Sequence, residues 1–223
     1  DTTPVTLVAK TDTGEIGLCT ESGWSGALPE HEVLREISLQ LLKSGESRLE
    51  IIGQDEYFLR PFTRPWRLVV VGAAHIAQPL ATMANDAGFD VTIIDPRRGY
   101  ATETRFPSMN LVHEWPDTAL PNLSLDRHSA VITLSHDPKI DDPALTAALD
   151  SPAFYIGALG SQRNHKKRLE RLATGGSVAS ELARIRGPVG LDIGGNQPNE
   201  IAISILAEII AVRNGKPLGD TAN

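Results

Sequence analysis

Residues 67–95 spell out a strand, a glycine turn, a helix and a second strand ending on an acid, and no other stretch constrains the fold as strongly. Residues 67–71 are, after Arg67, a continuous and mostly β-branched apolar run, the pattern of a strand covered on both faces. Gly72 follows, then an alanine-rich helical stretch over 74–87 stopped by Gly88, then the apolar strand 90–94 and Asp95. Two buried strands joined through one helix pair in parallel with a right-handed crossover. The alternation continues. Strands are expected at 111–113, 130–134 and 153–156, and the run 188–191 reads as one more strand. Helices are expected at 141–149, 162–172, 180–185 and 198–213. The fold class is therefore α/β, a doubly wound parallel sheet.

The composition shifts near residue 65. Residues 5–9 and 15–19 read as short strands around the turn Asp12-Thr13-Gly14. Residues 30–42 carry Val33, Leu34, Ile37, Leu41 and Leu42 at helical spacing, closed by Gly45, and 49–52 with 57–62 read as a hairpin. Residues 1–65 are thus a small α+β N-terminal module, joined through Phe62-Thr63-Arg64-Pro65 to a second domain over 66–223.

Charge and cysteine usage exclude several classes of function. Lys plus Arg total 21 against 28 acids, a net charge of −7, which disfavours non-specific nucleic-acid binding. A single cysteine, Cys19, cannot form an internal disulfide and points to a reducing compartment, the cytoplasm. No basic-then-apolar leader pattern is visible. The apolar run 201–212 is broken by Ser204 and Glu208 and is too short to span a bilayer.

Candidate site residues gather at the expected carboxyl ends of the strands, where doubly wound sheets bind ligands. The turn Gly72-Ala73-Ala74-His75 occupies the place of a dinucleotide-binding loop, although alanines stand at its second and third glycine positions, Ala74 and Ala77. Asp95 lies where an acid accepts ribose hydroxyls, and Arg97 beside it suits a 2′-phosphate or another anion. Further along come Ser135-His136-Asp137, the turn from Gly157 through Gly160 to Ser161, and Asp192. Residues 151–187 hold seven basic side chains against two acidic ones, inside a chain that is acidic overall. Arg163 and Lys166 fall near a helix start, where the dipole disfavours cations unless an anion joins them. That pattern marks an anion site at Gly160–Ser161; the competing reading is a solvated basic face. His75, His136 and His165 lack metal-ligand spacing, and Ser135 lacks a nucleophile elbow, so neither metal ligation nor a catalytic nucleophile is expected.

In the last helix, Glu200, Ser204 and Glu208 form one narrow stripe and apolar residues cover the rest. Such a helix buries more than one face, against the sheet and against either the N-terminal module or a second protomer, so a homodimer is expected.

Taken together, Gly72-Ala-Ala-His75, Ile94-Asp95, Arg105-Phe106-Pro107, Ser135-His136-Asp137-Pro138, the run 154–161, Gly190-Leu-Asp192-Ile-Gly194 and the run 200–211 resemble the XdhC/CoxI family of xanthine dehydrogenase accessory proteins. The resemblance covers about residues 66–213. It implies a Rossmann-like C-terminal domain that binds molybdenum cofactor, supports its sulfuration by a cysteine desulfurase and delivers it to a molybdenum hydroxylase apo-enzyme. Such a protein is a maturation factor rather than a free-standing enzyme. Two departures stand out: Ala74 replaces a usual glycine, and residues 1–65 lack the family's N-terminal glycine-cysteine motif, Cys19 lying in Gly17-Leu-Cys-Thr instead. Under this reading Gly72, Ala73, Ala74 and His75 form one wall, Asp95 and Arg97 a second contact, and Gly157, Gly160, Ser161 and Arg163 a phosphate corner. Ser135, His136, Asp137 and Asp192 complete the rim. The alternatives are an NAD(P)-dependent oxidoreductase, for which no dedicated hydride-transfer pair is evident, and a nucleotide-responsive regulatory domain.

Overall fold

The βαβ unit at 67–95 is the centre of the larger of two compact units, residues 65–223, in a computed structural model. The structure describes residues 3–216. The smaller unit, residues 1–64, is built from β1 (Val5–Lys10), β2 (Ile16–Thr20), β3 (Gly23–Gly26), α1 (Glu32–Ser44), β4 (Arg48–Ile52) and β5 (Asp55–Phe62). Its sheet is antiparallel in the order β3-β2-β1-β5-β4. Period-2 burial of Thr6 and Val8, Gly17 and Cys19, and Tyr57 and Leu59 turns one sheet face inward; Leu34, Ser38 and Leu41 of α1 are buried in the same unit. Gly45 ends α1 in the left-handed region, its N–H donating to the Leu41 carbonyl at 2.8 Å. Strand β3 is not expected from sequence, because two of its four residues are glycine.

The larger unit runs β6 (Trp66–Val71), α2 (Ala77–Asp86), β7 (Phe89–Ile94), β8 (Asn110–Val112), α3 (Pro116–Asn122), β9 (Ser129–Thr133), α4 (Pro138–Leu149), β10 (Tyr155–Ala158), α5 (Gln162–Thr174), α6 (Ala179–Leu182), β11 (Ile185–Arg186) and α7 (Pro198–Arg213). Its six strands lie in the order β8-β7-β6-β9-β10-β11, and every pairing is parallel. This is the Rossmann arrangement, with the order reversing between β6 and β9. Alternate residues of β6 enter opposite cores. Leu68 and Val70 pack with Leu80, Ala84 and Ile205, while Val69 and Val71 pack with Leu120, Leu145 and Ile156.

Two expected elements are corrected. The sixth strand is Ile185–Arg186, inside and just after the stretch read as a helix, and the run 188–191 is a loop that follows the cis peptide Gly187–Pro188. An edge strand of two residues carries too little periodicity to be read. The stripe on α7 is divided between interior and solvent. Ser204 and Glu208 are buried, at 6% and 4% exposure, whereas Ile203 is 49% exposed. The helix buries Ser204 and Glu208 along with Ala202, Ile205 and Ile209, while Glu200 in its first turn stays exposed.

Candidate functional site

The glycine turn after β6 faces inward. Gly72 has φ +98, and a Cβ there would lie 2.5 Å from the Ser135 backbone nitrogen, so the chain after β6 runs directly against the chain after β9. Asp95 is fully buried. Its Oδ2 accepts from the Ala73 N–H at 2.8 Å and from Arg97 Nη2 at 2.7 Å, and its Oδ1 from Arg97 N at 2.9 Å and Nε at 2.8 Å. Burial alone would raise its pKa, but the Arg97 guanidinium and the N–H groups of Ala73 and Arg97 hold it below the usual carboxylate value. The expected ribose acceptor is therefore a clamp on the turn, and the cation expected beside it is the other jaw. Arg97 stacks over Tyr100, with 4.2 Å from guanidinium carbon to ring centroid. Arg105 completes the lock, donating to the carbonyls of Ala73 at 2.8 Å and Tyr100 at 2.6 Å. His75 is exposed and Ala74 half-buried.

At the end of β9, the Ser135 hydroxyl donates to Asp141 Oδ1 at 2.6 Å. Asp141 is 2% exposed, and burial pushes its pKa up against the opposing effects of Ser135, Arg168 and His136. Asp137 caps α4 by accepting the Lys139 N–H at 3.0 Å. His136, at φ +61, is exposed and borders a cavity of about 230 Å³.

A larger cavity, about 1060 Å³, runs along β10 and β11 and is walled by α5, α7 and the loop 187–195. It brings together Gly160, Lys166, His165, Arg186 and Asp192. Neither cavity is lined by any residue of 72–77 or 95–98. Glu208, also in the larger cavity wall, organises the interior: Oε2 accepts from the Tyr155 hydroxyl at 2.6 Å and the Gly190 N–H at 2.7 Å, and Oε1 lies 3.4 Å from Arg186 Nη1. Burial first, then the Glu208 charge and hydrogen bond, drive the Tyr155 pKa far up, so its phenol stays protonated as the donor. The His165 Nδ1 is buried without a partner, and burial lowers that imidazole's pKa.

Several expected assignments shift accordingly. Gly157 answers to packing: a Cβ there would meet Val189 Cγ2 at 2.6 Å and the Tyr155 ring at 2.8 Å. Arg163 is exposed and lines neither cavity; Lys166, one turn on, lines the larger one. Arg184 donates to the carbonyls of Leu149, Ser151 and Ala153, a structural task. Ser161 caps α5, accepting the Asn164 N–H at 3.2 Å. Ser161→Ala is accordingly expected to lower stability by about 1 kcal/mol, measured by urea denaturation. Sequence reasoning did not place Tyr155, Arg186 and Glu208 in the candidate site, although the Glu200/Ser204/Glu208 stripe carried a signal for Glu208. Among the described residues no group of three or more His, Cys, Asp or Glu is placed to hold a metal, and no helix is long and apolar enough to cross a membrane.

The XdhC Rossmann domain model matches residues 68–209. A Bacillus subtilis protein, named as a probable subunit of xanthine dehydrogenase, is 32% identical over 213 residues, covering 94% of this chain and 61% of that protein. The molybdenum cofactor insertion chaperone PaoD of Escherichia coli is 35% identical over 147 residues, covering 66% of this chain and 40% of its own length. The chain thus spans less than two thirds of either relative. A crystal structure described as a xanthine dehydrogenase from Bacillus halodurans superposes with a TM-score of 0.73 at 24% identity, covering 98% of this chain and 62% of that one, a likeness of fold. The matched residues run from the strand before the glycine turn to the end of the lining of both cavities, and this chain belongs to the XdhC family.

Proposed function

We propose that this chain takes up molybdenum cofactor as cargo, protects it while a cysteine desulfurase supplies its sulfur, and passes it to the apo-form of a xanthine dehydrogenase-type hydroxylase. Family membership and the name of the PaoD relative support a maturation role. The observation that carries the reading is the cavity of about 1060 Å³ at the edge of the sheet, large enough for a pterin with its side chain. Its lining suits that chemistry. Asp192 offers acceptors to pterin N–H groups, Lys166 and Arg186 offer charge to a phosphate, and the unpartnered His165 Nδ1 offers one more polar contact. The turn Gly160–Ser161 at the start of α5 adds backbone donors. By contrast, Asp95 and Arg97 are engaged with each other, which removes the acid that a nicotinamide dinucleotide needs. The homodimer expected from the last helix would use its exposed Ile203, and a monomeric mass by light scattering rejects it.

The test is equilibrium binding of the purified chain to molybdenum cofactor beside NAD(H) and NADP(H). Stoichiometric cofactor uptake without nicotinamide binding is expected. Lys166→Glu is expected to weaken that uptake about tenfold or more, and Arg163→Glu less than about twofold. Tight nicotinamide binding with no cofactor uptake sinks the proposal.

A further inference from the structure

The sheet of the smaller unit has one face covered and one bare. Val8, Tyr57 and Leu59 pack with Leu34 and Leu41 of α1, and the Thr6 hydroxyl donates to the Ser38 carbonyl at 2.9 Å. The alternate residues of each strand face the other way, and the register sets them in rows. Ile16 stands beside Ala9, Ala9 beside Phe58, and Phe58 beside Leu49, while Leu18 stands beside Leu7. Ile16, Leu18, Leu49, Ile51, Phe58 and Phe62 are all exposed on this face, Leu49 at 60% and Ile51 at 71%. One exposed leucine is ordinary, but six large apolar side chains on one continuous face mark an interaction surface.

The charges on that face say what covers it. The outward side chains of β5 read Glu56, Phe58, Arg60 and Phe62, all exposed. Arg60 stacks over Phe62, with 5.2 Å from guanidinium carbon to ring centroid. Glu56 and Arg60 stand about 13 Å apart along the strand with Phe58 between them. Neither forms an ion pair among the described residues, whereas Lys10 with Asp55 and Arg48 with Glu50, on the opposite face, are paired. An acid and a base set evenly about one aromatic make a surface that complements itself. A twofold axis lying across the strand at Phe58 sets Glu56 of each copy over Arg60 of the other. An axis along the strand would set like charge on like charge.

We propose that a second copy of this chain covers this face, the two sheets packing face to face with their β5 strands antiparallel across the twofold axis. Five strands about 4.8 Å apart, each about six residues long, present a face of about 20 by 20 Å. Two such faces bury on the order of 1,000 Å² together, the lower end of specific interfaces and the size of a reversible one. The contact uses only residues of the smaller unit, whereas both cavities and Ile203 belong to the larger one. Cofactor uptake and this pairing therefore stand or fall separately.

The experiment is sedimentation velocity of the whole chain from about 1 to 200 µM, where a reversible monomer–dimer equilibrium with Kd on the order of 10 µM is expected. Arg60→Glu and Glu56→Arg each set like charges together at both crossings, and each is expected to weaken the dimer about tenfold or more. The decisive arm mixes these two variants, one then carrying two bases and the other two acids. A heterodimer within about threefold of the wild-type affinity is expected, and the double exchange in one chain is expected to restore the homodimer equally. Ile203→Arg, on α7, is expected to change the affinity less than about twofold. Circular dichroism checks each fold. Ile51→Asp, at a position 71% exposed, replaces a single variant that does not fold, with the same tenfold loss expected. A mass that stays monomeric at about 200 µM overturns the proposal and hands the face to a different partner. A dimer lost in Ile203→Arg but indifferent to Glu56 and Arg60 overturns it as well, as do charge variants that dissociate and do not recover on mixing.

Discussion

Asp95→Ala is expected to lower the melting temperature of the larger unit by about 10 °C, measured by calorimetry at neutral pH. The carboxylate is fully buried and accepts four hydrogen bonds, three from Arg97 and one from Ala73. Arg97 is 36% exposed and regains some water, so removing its buried acid costs about 3 kcal/mol, the low end for a buried charged pair. For a unit of this size each kcal/mol moves the midpoint by about 2–4 °C. The pH dependence has a defined sign. The folded pKa lies below the usual value, so the stabilisation is present above the unfolded pKa and disappears as pH falls through the folded one. The gap between wild type and variant therefore narrows in acid and is full at neutrality. A variant that melts within about 2 °C of wild type but fails to bind a nucleotide would restore Asp95 as a ribose acceptor.

The parallel sheet was legible because its central strands are buried on both faces and must be apolar throughout, as 68–71 and 91–94 are. Helix α7 was placed at Pro198–Arg213, with proline in its first turn and Arg213 in its last. Elements that depend on partners were not legible. Strand β3 exists because Trp24 lies over Gly17 across the sheet, and β11 because Ile185 and Arg186 pair with Ile156 and Gly157. Short α3 was missed for a related reason: Pro116 starts it, but Pro121 inside it reads as a breaker.

The candidate site is legible in the sequence as a region rather than as a residue set. The basic island singles out α5, yet sequence cannot say which cations of one helix face a cavity. Arg163 lines neither cavity, whereas Lys166 lines one and Lys167 and Arg168 line the other. Asp95 shows the same limit from the other side. Its spacing from Gly72 places it beside the turn, but only the fold reveals that Arg97 reaches back to occupy it. An acid followed two residues later by arginine is compatible with a ligand contact or with a closed pair. Ala74 tilts the balance toward the closed pair, since a methyl already narrows the approach for phosphates.

Glu208→Ala is expected to produce the second large effect, a loss of about 3–5 kcal/mol together with loss of cofactor uptake. The carboxylate ties together strand β10 through Tyr155, the loop 187–195 through Gly190, and Arg186 of β11. Its removal leaves the Tyr155 hydroxyl, on a side chain 2% exposed, with no acceptor, and frees the loop that walls the larger cavity. Stability alone cannot separate a positioning role from general damage, so the informative measurement is a double-mutant cycle with Tyr155→Phe. A hydrogen bond to a charged group predicts a coupling of about 1.5–3 kcal/mol. Tyr155→Phe by itself retains the ring and its packing, so cofactor affinity in that variant is expected to fall much less than in Glu208→Ala, where the loop also loses its Gly190 anchor. A coupling below about 0.5 kcal/mol would mean that Glu208 and Tyr155 act independently, and the loop's order would then have to come from the packing of Gly190 against Ser204 and Ile205.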